Sequence, residues 1–478
     1  MKKQEKGLGA WQLTMMALGT VIGGSFFLGS SVAVHAAGPS IILGFIFGGI
    51  LVYFILFALS EMTVANPDAG SFRTFAAQAY GQGAGFVVGW VYWTGMVLAM
   101  SSEATAVSIL IRNWFPDIPI AVLGGVIILA VTLFNLLGAS SLSKLESMLA
   151  AVKLFTIAAF IVMAVLLIIG LFPGSPAIGM GELKNEPFLP GGVKGLAGSM
   201  LVVMFTYAGF EIIGLAASEA DHPQNTVPRA IRYTVFSLVG LYLIYIFLLL
   251  PLIPTAQINE TTSPIVMALS RNGIEWAGTA MNVVLIIAIL STMLAAMFGL
   301  GRMMHSLADE GLAPYWLKDR TDVPYRGILG SGVAMLLALG LGLLFPSVYL
   351  FLISSGGFAL LFSYAAIMAT HLRFRRKYGC PPNGKCQMRG FPFTSLFVLL
   401  SLVAAIASMP FVAGQGSGLI AGLIIVSFYT IAYRAMHLTR GRKQPTRQRQ
   451  YKKNVLTVEM SEDLTEIQNK LGTRKNHK

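Results

Sequence analysis

The sequence predicts an all-α integral membrane protein with twelve transmembrane helices. Of the 478 residues, 55% are hydrophobic and only 12% are charged, whereas soluble globular proteins carry about 25% charged residues. The mean hydropathy is +0.71. Twelve apolar stretches reach the roughly 20 residues that a helix needs to cross a bilayer. They lie at about 12–33, 41–63, 85–110, 118–138, 147–171, 195–217, 233–253, 276–300, 327–345, 348–370, 393–412 and 415–435.

The distribution of basic residues predicts the orientation. If the N-terminus is cytoplasmic, 29 of the 34 Lys and Arg residues fall on the inner side of the membrane. Inner loops of membrane proteins carry such an excess of positive charge. We therefore expect a multi-pass protein of the cell membrane with an even number of spans and both termini in the cytoplasm. The outer side has only Arg112, Lys184, Lys194 and Arg271.

The chain is predicted to form one membrane domain, residues 12–435, between an N-terminal tail, 1–11, and a basic tail, 436–478. The net charge of +13 follows from the topology, so it does not indicate nucleic-acid binding. The basic arm, 440–453, is expected to contact anionic lipid of the inner leaflet. The mixed polar and aromatic segment 67–80 is expected to lie along the membrane surface.

Lys153 lies inside the fifth apolar stretch, where it has no easy route to water. A cation in hydrocarbon costs at least a few kcal/mol unless it is paired or faces a wet cavity, and such residues are usually functional. Lys153 therefore predicts that the protein moves a solute across a membrane. The alternative is a permanently protonated lysine that only stabilises the helix bundle.

Two spans carry internal breaks in their sequence. Small residues occupy the middle of span 1, at Gly19, Gly23 and Gly24, and span 6 has Gly209 followed by Glu211. Interrupted segments at corresponding positions of two halves of a chain indicate the binding site of a transporter. The alternative is that these glycines only allow close helix packing.

Nine motifs follow one another along the chain. They are, in order, Gly19-Thr-Val-Ile-Gly-Gly-Ser-Phe26, Ala58-Leu-Ser-Glu61, Pro67-Asp-Ala-Gly-Ser-Phe72, Gly89-Trp-Val-Tyr-Trp93, Glu146 with Lys153, Phe205-Thr-Tyr-Ala-Gly-Phe-Glu211, 218–230, 302–314 and His371-Leu-Arg-Phe-Arg-Arg376. Together these motifs resemble those of an amino acid permease of the amino acid, polyamine and organocation (APC) superfamily. The resemblance implies a LeuT-like core of two inverted five-helix repeats, about 12–171 and 195–370, with spans 1 and 6 unwound and two additional helices at about 393–435.

The resemblance also implies where a substrate amino acid binds. Freed N–H groups at the start of a half-helix bind a carboxylate, and freed carbonyls at a half-helix end accept from an ammonium. Two departures leave the substrate preference open: Ser25 replaces a glycine that is usual in the family, and Leu294 replaces a usual asparagine. The carboxylate candidates are Ile22, Gly23, Gly24 and Ser25, and the ammonium candidates are Phe205, Thr206, Ala208 and Gly209.

The resemblance matches Lys153 to a lysine that, in some permeases, stands where sodium-driven relatives bind an ion. Burial favours the neutral form of a lysine, so that it can release a proton, and we expect proton rather than sodium coupling. Span 1 carbonyls and the Ser291 hydroxyl are the expected partners of Lys153. At about 1.5 Å per residue, Glu103 lies about 15 Å past Trp93 and Lys153 about 10 Å past Glu146. Glu103 is therefore expected to be a second protonatable site or a side-chain selector.

Two roles are open for Glu211: it is expected either to select a cationic substrate or to be protonated and hydrogen-bonded.

The combined prediction is a secondary active transporter that imports an amino acid, with a proton as the coupling ion. Two alternatives stay open, an exchanger driven by outward substrate and a permease-like sensor that signals through its tail. An enzyme is not expected, because the sequence has no P-loop, nucleophile–base pair or metal motif. No cofactor or metal is expected either, and Cys380 and Cys386 lack a second ligand pair.

Overall fold

A computed structural model describes residues 7–65, 71–137, 139–172, 176–216, 220–259, 262–319, 324–379 and 386–440. Within these ranges the chain is helical, and its only bridge between extended residues joins Leu8 and Ala220. The α-helices are α1 (Ala10–Val21), α2 (Ser30–Ala37), α3 (Ile41–Ala65), α4 (Ser71–Tyr80), α5 (Gln82–Ile111), α6 (Ile120–Asn135), α7 (Ala139–Ile169), α8 (Gly192–Thr206), α9 (Ile212–Ala216), α10 (Pro223–Leu249), α11 (Pro264–Arg271), α12 (Glu275–Asp309), α13 (Tyr325–Gly342), α14 (Val348–Tyr378), α15 (Phe393–Ala407) and α16 (Gln415–Arg440).

The prediction of an all-helical membrane protein is confirmed over the described residues. Each of the twelve apolar stretches contains a helix, although the number of spans and the inverted repeat stay predictions. Three shorter apolar helices are α6, α8 and α15. Eight helical stretches of the described residues are long and apolar enough to cross a membrane: Ser25–Ala65, Gln82–Ile111, Val152–Ile169, Pro223–Leu249, Glu275–Asp309, Tyr325–Gly342, Val348–Tyr378 and Gln415–Leu438.

Two helices continue well beyond the apolar stretches that predicted them. Helix α12 ends at Asp309 and α14 ends at Tyr378, eight or nine residues past the predicted ends at about 300 and 370. The last turn of α14 carries basic residues, which favour a helix C-terminus because they complement its partial negative charge. Hydropathy detects the apolar part of a span, so it cannot locate such polar helix ends. Residues 1–6 of the N-terminal tail and 441–478 of the basic tail, including its expected lipid contact, lie outside the described residues.

The described part of the segment 67–80 forms α4, and one face of this helix is packed inside the protein. Phe72, Arg73 and Phe75 on this helix are buried, and α4 packs against α5. Gly85 on α5 permits the close approach, because a Cβ there would lie 2.6 Å from Ala77 Cβ. Phe72 and Phe75 are thus packed inside the protein, whereas Tyr80 at the end of α4 is 48% exposed, and the expectation that this segment lies along the membrane surface stays a prediction.

Long helices surround the two interrupted ones. Helices α12 and α14 both pack against α5. Helix α2 packs against α8, and α1 packs against α10. Helices α15 and α16 lie outside this group, against α14. Their outer faces carry exposed apolar side chains such as Phe393 and Phe428, a surface that suits lipid rather than water.

Candidate functional site

The first interrupted span breaks between α1 and α2. Helix α1 ends at Val21, Ile22 has an extended backbone, and helical geometry resumes at Gly24 with a π-helical turn, Ser25–Gly29, leading into α2. The last carbonyls of a helix have no partner within it. The break therefore frees carbonyl oxygens at the end of α1 and N–H groups at the start of the next helical segment.

Lys153 binds the freed carbonyl end of α1. Its side chain is 1% exposed, and Nζ donates hydrogen bonds of 2.6 Å to the Gly19 carbonyl and 2.7 Å to Thr292 Oγ1. Thr292 Oγ1 in turn donates to the Ile22 carbonyl at 2.9 Å. An ammonium at a helix C-terminus is favoured by the helix dipole. The expectation that Lys153 binds span 1 carbonyls agrees with this geometry.

The expected hydrogen bond from Lys153 to Ser291 is not formed, and the neighbouring Thr292 takes that place. Ser291 Oγ is buried and has no hydrogen-bond partner among the residues that the structure describes. Successive residues of a helix point about 100° apart, so an error of one residue selects the wrong hydroxyl. Leu294, on the same helix, is buried among apolar side chains.

Glu103 binds the other side of the same break. Its side chain is 3% exposed, and the carboxylate accepts from the Gly24 N–H at 2.6 Å and the Ser25 N–H at 3.0 Å. A Cβ on Gly24 would lie 2.4 Å from Glu103 Oε2, so this approach requires glycine. Lys153 and Glu103 therefore flank one helix break, although their expected depths had separated them.

The four carboxylate candidates differ in what they present. Gly24 and Ser25 have N–H groups that already hold an anion, the Glu103 carboxylate. The Ile22 N–H instead donates to the Leu18 carbonyl within α1, at 3.2 Å. At Gly23 a Cβ would lie 3.0 Å from Thr292 Oγ1, so this glycine allows Thr292 to reach the break.

The second interrupted span breaks between α8 and α9 and touches the first break. Gly209 lies in this gap with a φ of +107°, a conformation that favours glycine. Thr20 Oγ1 donates to the Gly209 carbonyl at 3.2 Å, and Thr206 Oγ1 donates to the Ser25 carbonyl at 3.3 Å. Phe205 is buried, while Ala208 is partly exposed. The structure thus brings the carboxylate and ammonium candidates together at one place.

Glu211 is held at the second break by three donors. Its carboxylate accepts from the Gly209 N–H at 3.0 Å, from the Tyr92 hydroxyl at 2.9 Å and from the Tyr364 hydroxyl at 3.1 Å. The side chain is 2% exposed. Tyr92 belongs to α5 and Tyr364 to α14, so this carboxylate ties the break to two surrounding helices.

Sequence reasoning missed four side chains of this site. Thr20 and Thr292 adjoin residues that were singled out, so a search for hydroxyls beside Gly19 and Ser291 would have found them. Tyr92 lies in a motif that was used only for the family resemblance, and Tyr364 gives no local signal, because an aromatic residue in a span most often packs against other apolar groups. Only the fold shows that both hydroxyls reach Glu211.

This arrangement, two touching helix breaks lined by buried charges inside a bundle of apolar helices, defines a membrane transport protein. Residues 12–448 match the family model described as amino acid permease. The chain belongs to the amino acid permease family, so it is a membrane transporter of amino acids and not an enzyme. The family resemblance seen in the sequence is thereby confirmed.

The chain is similar to several relatives over most of each relative's length. An uncharacterized amino acid permease, YvbW of Bacillus subtilis strain 168, is 35% identical over 438 residues, which cover 90% of this chain and 96% of the relative. The gamma-aminobutyric acid permease of Escherichia coli strain K12 is 35% identical, covering 77% of this chain and 80% of the relative. The aromatic amino acid transport protein AroP of Escherichia coli O157:H7 is 33% identical, covering 78% and 82%.

Solved structures show a similar fold. The manganese transporter of Eremococcus coleocola, crystallised with an aromatic bis-isothiourea substituted compound, has a TM-score of 0.54 and 14% sequence identity. The match covers 88% of this chain and 93% of the transporter. At this identity the likeness concerns the fold alone.

Proposed function

We propose that this protein imports amino acids across the cytoplasmic membrane as a proton-coupled secondary active transporter that works by alternating access. The observation that carries the proposal is the Lys153 ammonium, buried in the bundle and bound to the Gly19 carbonyl at a helix break. A cation held by freed carbonyls occupies the kind of place at which ion-driven transporters bind their ion. Here the charge belongs to the protein, so a proton is the ion that this place can exchange.

The proposed substrate site lies between the two breaks. The Gly24 and Ser25 N–H groups bind a carboxylate in this structure, which supports the segment 22–25 as the site of the substrate carboxylate. The facing segment of Phe205, Thr206, Ala208 and Gly209 offers the ammonium side. The contact between Thr20 and the Gly209 carbonyl holds the two segments together.

The proposed coupling group consists of Lys153 and Glu103 on either side of the first break, with Ser291 beside them. Both side chains are ionisable, buried and bound to backbone groups freed by the same break. A change of protonation at either one therefore alters the charge next to the substrate site. Glu211 and Leu294 are proposed to affect which side chains the site accepts.

Uptake into proteoliposomes tests this proposal. The full chain is reconstituted, and uptake of radiolabelled L-phenylalanine, L-threonine, L-serine and γ-aminobutyrate is measured with an imposed pH gradient, a sodium gradient or neither. Proton symport predicts accumulation that depends on the pH gradient alone. Accumulation that instead needs amino acid preloaded inside the vesicles would indicate an exchanger, and no uptake of any compound under any gradient would reject the transport proposal.

A further inference from the structure

We infer that the Gly24 and Ser25 N–H groups form a site for one anion, which the Glu103 carboxylate and the substrate carboxylate occupy in turn. The inference rests on the proposed function, which places the substrate carboxylate at 22–25. It assigns to Glu103 the part of an internal substitute for the substrate: the protein's own carboxylate fills the site until an amino acid replaces it.

The site is fully used by Glu103 in this structure. Each carboxylate oxygen takes one N–H, Oε2 from Gly24 at 2.6 Å and Oε1 from Ser25 at 3.0 Å. The absence of a side chain on Gly24 is what allows this approach, since a Cβ would lie 2.4 Å from Oε2. The pair of N–H groups therefore accommodates one carboxylate and leaves no donor for a second.

Two carboxylates cannot share these donors. Each N–H has one proton to donate, and two like charges in a buried site strongly disfavour double ionisation. A substrate that binds here must therefore displace Glu103. The displaced side chain is buried, and a buried carboxylate without compensating hydrogen bonds is unfavourable.

Protonation of Glu103 removes the charge that makes its displacement unfavourable. One proton from water joins a Glu103 carboxylate oxygen, and the two N–H bonds pass from Glu103 to the carboxylate of the substrate. No covalent bond of the substrate changes, and one proton enters with one zwitterionic amino acid. When the substrate leaves, Glu103 releases the proton and returns to the two N–H groups.

Two titratable groups of neighbouring helices lie at the same break as Glu103: Lys153 of α7, whose Nζ binds the Gly19 carbonyl, and Tyr242 of α10, whose ring stacks on Phe26 with centroids 4.4 Å apart. Tyr242 is neutral near pH 7 and donates to the Thr206 carbonyl at 3.1 Å. Lys153 is the nearby cation that offsets whichever carboxylate is held at the break. The exchange thus leaves one carboxylate on the two N–H groups before and after binding, while the net charge of the site rises by one, the charge of the proton that enters with the neutral zwitterion. It defines the substrate class as amines that bear a free carboxylate.

Equilibrium binding to the purified full chain in lipid nanodiscs tests the exchange. The probes are the radiolabelled L-phenylalanine, L-threonine, L-serine and γ-aminobutyrate used for uptake, with 2-phenylethylamine as an amine that lacks a carboxylate. For the wild type we expect affinity for the amino acid that binds to fall about tenfold for each unit of rising pH, over the range in which Glu103 is ionised. The amine is not expected to bind.

Glu103→Gln removes the charge of the side chain at nearly constant size. If the exchange occurs, the affinity of this variant for the amino acid no longer depends on pH. It should equal or exceed the affinity of the wild type at low pH. The matched control is Glu186→Gln. Glu186 also accepts from a backbone N–H, that of Thr255 at 2.6 Å, but it lies in the segment between α7 and α8, outside both breaks. This control is expected to keep the pH slope of the wild type.

The inference is overturned if Glu103→Gln and the wild type share one pH profile, or if a folded Glu103→Gln binds none of the probes that the wild type binds. A second measurement needs no variant: infrared difference spectra of the wild type should show a protonated carboxyl band when amino acid is added, and its absence would also overturn the inference. Binding is measured without gradients, so a transporter driven by another ion would give the same result. If no probe binds to either protein at any pH, the proposed substrate class itself fails.

Discussion

The Lys153 ammonium donates a hydrogen bond of 2.7 Å to the Thr292 hydroxyl, which in turn donates a hydrogen bond of 2.9 Å to the Ile22 carbonyl. Thr292 thereby joins α7 to the end of α1 through a single oxygen atom. Its methyl group packs against the break as well, 3.0 Å from the position that a Cβ of Gly23 would occupy. Thr292 is thus a positioning residue for Lys153.

Thr292→Val is expected to lower pH-driven amino acid uptake by about tenfold or more, because a buried polar group that loses its partner costs about 1–3 kcal/mol. The substitution keeps the shape of the side chain and removes both hydrogen bonds. Thr292→Ser is the matched control, since it keeps the hydroxyl and should retain most of the uptake. Initial rates in proteoliposomes give the comparison, and equal rates for both variants would reject a positioning role for the hydroxyl.

Lys153→Met is expected to abolish uptake driven by a pH gradient. The variant removes the ammonium and fills the same space with an apolar side chain, so the bundle should remain folded. Exchange of labelled for unlabelled amino acid across the vesicle membrane should persist, because it needs no net movement of protons.

Lys318→Met is the control for the loss of a lysine. Lys318 pairs with Asp309 at 3.0 Å on the exposed end of α12, and an exposed pair of this kind contributes little. This variant should transport as the wild type does. Intact pH-driven uptake by Lys153→Met would show that the lysine has no part in coupling.

The breaks of both interrupted spans could be predicted from the sequence, whereas the contacts across them could not. Glycines at 19, 23, 24 and 209 mark places where a helix inside an apolar stretch is weak, and this signal is local. The choice of Thr292 over Ser291 depends on a rotation of about 100° per residue, which hydropathy does not resolve. A span boundary that is wrong by one residue changes the answer.

The position of Glu103 illustrates a second limit. Axial offsets from Trp93 and Glu146 locate each residue along its own helix, but they do not include the tilt of α5 against α7 or the depth at which each helix starts. The two side chains consequently reach the same break despite offsets of about 15 and 10 Å. Whether a carboxylate fills the freed N–H groups is a property of the folded bundle.

The stability of the protein is expected to depend on the hydrogen bonds that Tyr92 and Tyr364 donate to the Glu211 carboxylate. Tyr92→Phe and Tyr364→Phe each remove one donor to a buried carboxylate and should each destabilise the protein by about 1–3 kcal/mol. The double variant should exceed the sum of the two, because Glu211 would keep only the Gly209 N–H among the donors described above. Thermal unfolding in detergent measures the changes.

Tyr429→Phe is the control for the loss of a tyrosine hydroxyl. Tyr429 on α16 shares a hydrogen bond of 2.7 Å with the Thr94 hydroxyl, and neither residue belongs to a helix break. Its loss should cost less than either loss at Glu211. A Tyr92→Phe variant as stable as the wild type would show that the hydrogen bond to Glu211 contributes nothing to stability.

Arg73 and Glu310 form an ion pair that joins α4 to the end of α12. Arg73 on α4 is wholly buried, and its guanidinium donates two hydrogen bonds to the Glu310 carboxylate, at 2.7 and 2.9 Å. Glu310 keeps 16% of its side chain exposed, so losing its partner should cost less than the roughly 3–5 kcal/mol of a fully buried pair. Arg73→Ala also leaves a cavity at a wholly buried side chain. Arg73→Ala should therefore lower the unfolding temperature strongly, whereas Arg326→Ala, which removes a largely exposed arginine, should change it little. If the two variants unfold at the same temperature, the buried pair does not hold α4 against the end of α12.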